Sequence, residues 1–301
     1  MKKKIAILGS TGSIGKTLIN ILKKNKKNFE IVLLTADKNY KELFNQAKTF
    51  NVKNIILTNK DIFLKCNKKK LLKDINIYNN FDIINKLFKT KIDYVMSSIS
   101  GLEGLKPTLK IIKYTNTIAI ANKEAIICGW NLLDKELKKN NTEFIPVDSE
   151  HFSIFYALKN NSIKKIEYIY LTASGGPLLN LPLNKFQSIK ISDVLKHPTW
   201  KMGKKISIDS ATLMNKVFEI IEARKIFNIS YDKLKILIHP NSYVHALLKF
   251  NDGMIKIIAH DTNMIIPIYN SLYSDHNSFL KTDNIDIKKL NNLNFEMVNS
   301  K

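Results

Sequence analysis

Ile5-Ala6-Ile7-Leu8-Gly9-Ser10-Thr11-Gly12-Ser13-Ile14-Gly15 follows a short basic start. Four consecutive apolar residues running into a glycine suit a strand buried on both faces of a parallel sheet. A helix is expected over residues 15–24, where Leu18, Ile19, Ile21 and Leu22 recur at helical spacing, and residues 31–34 then supply a second buried strand. That is a βαβ unit, with a G-x-x-G-x-x-G turn between its first strand and its helix. The glycines allow a tight turn and close backbone approach, while free N–H groups and the helix dipole near Gly12 favour a dinucleotide pyrophosphate. Gly9, Thr11, Gly12, Ser13, Ile14 and Gly15 are the expected cofactor-binding residues; an ordinary glycine turn is the competing reading.

The same alternation continues through residues 54–57, 94–96, 117–121 and 144–147, which predicts an α/β fold with a Rossmann-like doubly wound parallel sheet over residues 1–147. Residues 148–270 read as an α+β domain, with strands at 166–172 and 235–238, loops rich in Gly, Pro and Ser, and one helix after Ser210. Residues 271–301 are rich in Asn, Ser and Asp with weak periodicity, as in a linker or extended segment. At the end of the second strand, Thr35-Ala36-Asp37-Lys38-Asn39 sends conflicting signals. An acidic residue there commonly pairs with the ribose 2′-hydroxyl of NAD, whereas Lys38 and Asn39 suit the 2′-phosphate of NADP. NADP is favoured because Asp37 lies past the strand, where it can point to solvent.

A formal net charge of +22 raises nucleic acid or an anionic membrane as partners. Arg224 is the only arginine, however, and base readers and duplex grippers exploit arginine's bidentate fork. The lysines are scattered among Asn and Ile, so neither nucleic acid nor membrane is expected. Cys66 and Cys128 form no metal or disulfide spacing, and Cys128 lies in apolar Ile126-Ile127-Cys128-Gly129, which would blunt its reactivity. No run approaches the ~20 apolar residues that span a bilayer, and no signal segment is visible, so a cytoplasmic location is expected.

Asp148 and Glu150, in Val147-Asp148-Ser149-Glu150-His151, stand two apart at a strand end and would project to one side. Two carboxylates held together repel unless a cation neutralises them, and a hard divalent ion with oxygen ligands does so. A third ligand is sought in residues 209–224, read as one helix capped by Asp209 or Ser210, with Asn215, Glu219 and Glu222 on one face. Leu213, Val217, Ile220 and Ile221 form its apolar stripe, and a solvated Lys216/Glu219 pair is the bland alternative. Ser174-Gly175-Gly176-Pro177 suits an anion-holding nest or a plain turn. His197-Pro198-Thr199-Trp200-Lys201-Met202-Gly203 suits a loop that closes over substrate or simply packs. His239 and His245 read as satisfied core histidines.

Residues 9–15, Ala121-Asn122-Lys123-Glu124, residues 147–151, 174–177, 197–203 and 207–224 occur in the order and spacing of deoxyxylulose phosphate reductoisomerases, which the chain resembles over almost its whole length. The resemblance implies metal-assisted rearrangement of 1-deoxy-D-xylulose 5-phosphate, by retro-aldol cleavage and aldol rejoining, and then reduction by NADPH to 2-C-methyl-D-erythritol 4-phosphate. It implies Asp148, Glu150 and Glu219 as ligands of Mg²⁺, Mn²⁺ or Co²⁺, and Lys123 between cofactor and substrate. Asn122, Glu124 and Gly203 join the implied cofactor residues. Ser149 would contact the substrate backbone, Ser174, Ser210, Asn215 and Lys216 its phosphate, and His197, Trp200 and Met202 would form a lid, with Glu222 behind the metal ligands. A homodimer is implied, as is a C-terminal helical domain beyond the linker that this sequence does not contain. Asp37 departs from the resemblance and leaves NADP favoured over NAD but unproved. A semialdehyde-type dehydrogenase, the nearest rival, would need a reactive cysteine that the sequence does not offer.

Overall fold

The computed structural model describes residues 2–68, 74–200, 203–273 and 279–298. The chain divides into two compact units, Met1–Asp148 with Pro267–Asn277, and Ser149–Ile266 with Ser278–Lys301.

The first unit is built on seven strands: β1 (Lys3–Leu8), β2 (Phe29–Ala36), β3 (Asn54–Leu57), β4 (Asn76–Tyr78), β5 (Ile92–Ser97), β6 (Thr115–Ile120) and β7 (Glu143–Pro146). All pair in parallel, in the order β4-β3-β2-β1-β5-β6-β7. The expected doubly wound sheet is present, and its direction of winding reverses at β1 and β5. Ligands of such sheets bind at the carboxyl ends of the strands beside that reversal. Ile5, Ala6, Ile7 and Leu8 are fully buried, as a continuous apolar run in a two-sided sheet requires. Helix α1 (Ser13–Lys24) starts two residues earlier than its apolar spacing indicated, with Gly12 as its cap residue, and buries Leu18, Ile19, Ile21 and Leu22. Strand β4 was not anticipated, because three residues on a sheet edge carry too little periodicity to read.

The second unit carries a mixed sheet of β8 (Ile166–Ala173), β9 (Leu234–Ile238), β10 (Val244–Phe250), β11 (Ile255–Ala259) and β12 (Glu296–Met297), in the order β11-β10-β8-β9-β12. Strands β8 and β9 run parallel, whereas β10 is antiparallel to both β8 and β11. Helices α3 (Ser149–Ala157) and α5 (Met214–Phe227) cover it, and Ile154, Ile169, Leu171, Ala223, Ala246 and Leu248 meet in its core. This is the α+β arrangement expected of residues 148–270.

Two expectations need correction. The single helix over residues 209–224 is two helices, α4 (Lys204–Ala211) and α5, because Leu213 adopts a left-handed backbone with φ 58° that a continuous helix cannot pass through. Ser210 therefore lies in the last turn of α4 and does not cap α5. The segment from residue 271 is not simply an extended linker. The helix Ile265–Leu272 buries Pro267, Ile268, Tyr269, Ser271 and Leu272, a second helix spans Ile287–Asn291, and Glu296 and Met297 pair with Ile238 and Leu237 of β9. Elements of two to eight residues are too short for a hydrophobic period to stand out.

The helix Ile265–Leu272 is tied to β5 by a buried pair of hydroxyls. Ser271 donates to the Ile268 carbonyl at 2.8 Å, so Tyr94 donates its own proton to Ser271 Oγ, also at 2.8 Å. Tyr94→Phe leaves shape intact and removes one buried hydrogen bond. Urea denaturation is expected to show a loss of roughly 1 kcal/mol.

Candidate functional site

In the first unit, the phosphate loop has the geometry its glycines suggested. Gly9 has φ +83°, and its amide donates to Thr35 Oγ1 at 2.8 Å at the end of β2. A Cβ on Gly15 would sit 2.5 Å from the Gly9 carbonyl oxygen, so loop and helix approach closely only because the side chain is missing. Gly9, Thr11 and Gly12 line a cavity of about 750 Å³ that continues past Thr35, Ala36 and Asp37 to Asn79, Asn80 and Lys106. Ser13, Ile14 and Gly15 do not line it; they form the first turn of α1.

Several residues expected to touch the cofactor have other attachments. Asn39 caps the helix Tyr40–Phe50, its side chain accepting from Glu42 N at 3.3 Å, and Lys38 is exposed; neither lines the cavity. Asp37 lies past the strand and is exposed, and it also belongs to the cavity wall. Asn122 is the N-cap of α2 (Lys123–Lys139): its oxygen accepts from Ala125 N, while its amide donates to the carbonyls of Ile99 and Gly101. It straps the loop after β5 to the start of α2. Glu124 is half-buried in the first turn of α2, and Gly203 is exposed as the cap residue of α4. Cys128, on α2, is exposed.

Lys123 is buried at the start of α2, where its ammonium meets Asp148 Oδ2 at 2.8 Å. Asp148 follows β7 and ends the first of this unit's two chain segments, two residues ahead of Glu150 in the chain.

The second unit holds a buried charge cluster. Lys216 Nζ lies 2.6 Å from Glu150 Oε1, 2.5 Å from Glu219 Oε2 and 2.5 Å from the Thr172 carbonyl oxygen. Ser149 donates to Glu150 Oε2 at 2.5 Å, and Asn215 Nδ2 donates to Glu219 Oε1. Burial alone would raise the Glu150 carboxyl, but the Lys216 ammonium beside it carries it well below the ordinary carboxylate range. Burial likewise opposes the Lys216 charge, yet Glu150 and Glu219 raise its pKa overall. The solvated-pair alternative fails here. Helix α5 turns Lys216, Glu219 and Glu222 inward and leaves Val217 exposed, the reverse of an ordinary amphipathic helix.

Beside this cluster, His151 was missed as a functional residue. Its Nε2 donates to the main-chain carbonyl of Glu219 at 2.9 Å, and its Nδ1 lies 3.6 Å from Glu222 Oε2, with both side chains essentially inaccessible. These contacts fix the turn of α5 that carries Glu219. A histidine directly after Glu150 was the only sequence sign, and nothing in one chain joins it to a helix 68 residues on.

The Ser174 turn and the His197 loop come together. Gly175 and Gly176 both have positive φ, and Gly176 N donates to Ser174 Oγ at 3.1 Å. His197 Nδ1 accepts from the amides of Thr199 and Trp200, so its proton is on Nε2, which donates to Ser174 Oγ at 2.9 Å. Burial lowers the His197 pKa, in keeping with a neutral ring. With two donors already on its oxygen, Ser174 has its own proton to offer to an anion. The backbone of Ser210 closes the nest: a Cβ on Gly176 would lie 2.7 Å from the Ser210 carbonyl oxygen. Trp200 packs edge-on against buried His245 at 5.8 Å, and His245 stacks on His260 at 3.7 Å. Burial and His260 pull His245 down to about 3, so it is neutral at ordinary pH. Met202 lies outside the described residues.

A family model for 1-deoxy-D-xylulose 5-phosphate reductoisomerase matches residues 5–129, and one for the C-terminal domain of that enzyme matches residues 144–227. The reductoisomerase of Pelagibacter ubique is 61% identical over 300 residues, covering 99% of this chain and 77% of its own. The chain belongs to the 1-deoxy-D-xylulose 5-phosphate reductoisomerase family. The reductoisomerase of Clostridium kluyveri is 40% identical over 98% of this chain and 77% of its own. Among solved structures, the Zymomonas mobilis reductoisomerase in complex with NADPH is 30% identical with a TM-score of 0.88, over 99% of this chain and 78% of that one. A reductoisomerase in complex with NADPH, fosmidomycin and magnesium is also 30% identical, with a TM-score of 0.90, over 98% and 76%. An archaeal homoserine dehydrogenase, 12% identical with a TM-score of 0.57, shares the fold. As a reductoisomerase, the chain is an oxidoreductase.

Removing Lys216 would leave two carboxylates in a space that excludes water. Lys216→Met in EDTA-containing buffer is expected to lose roughly 3 kcal/mol in a denaturant titration, the cost typical of breaking a buried ion pair. The native protein should also weaken on acidification, because a lowered carboxyl contributes stability above its unfolded value of ~4.3 and loses it as pH falls toward the folded one.

Proposed function

We infer that this chain converts 1-deoxy-D-xylulose 5-phosphate to 2-C-methyl-D-erythritol 4-phosphate, with NADPH as reductant and a divalent cation, in isoprenoid precursor synthesis. The observation that carries the reading is the buried Glu150–Lys216–Glu219 cluster, a set of charges that an ordinary surface helix has no use for, in a chain of this family.

The donor chemistry fits the groups required. Carboxylate oxygens from Asp148, Glu150 and Glu219 suit a hard divalent ion such as Mg²⁺ or Mn²⁺. The cradle at Gly9, Gly12 and Gly15, closed to any Cβ at Gly15, suits a pyrophosphate. When bound, the cation polarises the substrate ketone and its neighbouring oxygen. The remaining work belongs to the chain. Ser174 and Ser210, with Asn215 and Lys216 turned from their present carboxylate partners, hold the phosphate and so fix the far end of the substrate. Ser149 touches the substrate backbone. Lys123, oriented by Asp148, stands between nicotinamide and substrate and supplies positive charge where the reduced oxygen gains its negative charge. His197 and Trp200 cover the site against water, and neutral His245 beneath Trp200 adds no charge to compete with the carboxylates. Glu222 and His151 hold α5 in place behind Glu219.

Three broader parts of the reading go with it. The partner is a small phosphorylated sugar and not nucleic acid or a membrane; no described helix is long and apolar enough to cross a bilayer. The enzyme works in the cytoplasm. It is a homodimer, for which light scattering should give twice the chain mass of 34.6 kDa.

The decisive assay follows NADPH absorbance with deoxyxylulose phosphate and Mg²⁺ or Mn²⁺. Oxidation should stop with EDTA, and Asp148→Asn should lower kcat/KM on the order of 100-fold or more. NADPH oxidation that persists undiminished in both would refute the metal assignment. Separately, His197→Ala should raise KM for the phosphorylated substrate by about tenfold with little change in KM for NADPH, as expected of a group that aims Ser174.

A further inference from the structure

The cavity of the first unit poses a question that its phosphate loop does not answer: which dinucleotide fits its adenosine end. Asp37 is the first residue after β2, the place from which a dinucleotide fold reads the adenine ribose. It is part of the cavity wall. Thr58 Oγ1 donates to its Oδ1 at 2.9 Å, which fixes the carboxylate and leaves Oδ2 able to accept from a ligand hydroxyl. No ion pair to Asp37 occurs among the described residues, so it brings its charge to the wall uncompensated.

The two groups suited to a 2′-phosphate are placed elsewhere. Lys38 is exposed and off the wall, and the Asn39 side chain is engaged in capping its helix. Positive charge reaches the cavity through Lys106 and Lys110 on the helix Leu105–Ile112, and Lys110 is already paired with Asp82. A phosphate there meets a fixed carboxylate, with Lys106 as the wall ammonium that has no ion pair among the described residues. A ribose diol meets an acceptor held ready for it. Specificity is a difference between two affinities, and a like charge placed against one ligand lowers it.

We propose that Asp37 makes this site admit NADH alongside NADPH, its carboxylate accepting the ribose 2′-hydroxyl of NADH and weakening the hold on the 2′-phosphate of NADPH. This rests on the reading of the cavity as a dinucleotide site. Lys106 and Lys110 keep NADPH binding in place despite the carboxylate, so the result is relaxed choice and not reversal.

Titration of the full chain with NADPH and with NADH, followed by nicotinamide fluorescence, tests it directly. The native protein should bind the two with Kd values within about tenfold of each other, and Asp37→Gly should shift the ratio toward NADPH by about tenfold or more. Asp37→Ser, which keeps a hydrogen-bonding group on an exposed residue and should not disturb folding, should shift it the same way. A native preference for NADPH beyond about 100-fold, or an unchanged ratio in both variants, overturns the proposal while leaving the dinucleotide site standing. Failure of the native chain to bind either nucleotide would overturn the dinucleotide reading and this inference with it.

Discussion

A lysine ammonium and two carboxylates share a buried space in the second unit, and much of that unit is arranged to make this tolerable. Charges taken out of water cost several kcal/mol each unless partners of opposite sign and hydrogen-bonding groups surround them. Lys216 supplies the opposite sign for Glu150 and Glu219, and the Thr172 carbonyl at the end of β8 gives its ammonium a third partner. Ser149 and Asn215 serve the remaining carboxylate oxygens. Strand β8 and helices α3 and α5 must therefore keep their spacing closely, since a charge that loses its partner in such a place cannot be hydrated by water.

The break at Leu213 is what lets α5 face this way. A helix continuing straight from α4 would keep the phase set by Lys204–Ala211. One left-handed residue resets it, so that the polar positions of α5 turn inward and Val217 and Met214 face out. A leucine with positive φ is uncommon, since its Cβ crowds the backbone by roughly 1–2 kcal/mol. The buried cluster is the compensation, and strain of this kind collects where function requires an unusual direction of chain.

What could be read from one chain follows the range of the interactions involved. The βαβ unit was legible because its signals are local: four apolar residues, a glycine turn and a helical repeat within 20 positions. Asp148 and Glu150 were legible as a pair of carboxylates, since they stand two apart in sequence. The fate of α5 was not, because its apolar spacing argued for the opposite face, and burial of Glu219 depends on Glu150 and Thr172 arriving from elsewhere. Asn39 and Asn122 illustrate the same limit. Each stood where a ligand contact made sense, and each side chain is engaged with backbone that sequence alone could not place beside it. The short elements after Pro267 escaped notice because they are stabilised by what they touch and not by their own pattern.

The first unit is not continuous in the chain. It is completed only when Pro267–Asn277 returns to it, with Lys3 donating to the Leu272 carbonyl, Tyr94 reaching Ser271 and Phe29 packing on Tyr273. On a ribosome that adds about 5–20 residues per second, the strands β1 to β7 would wait roughly ten seconds for this segment to be made. During that time Lys3, Phe29 and Tyr94 lack the partners that this segment brings to them in the finished protein. The order of synthesis thus imposes an interval of exposure on the half of the protein that is made first, and that half completes its core only after most of the other has emerged.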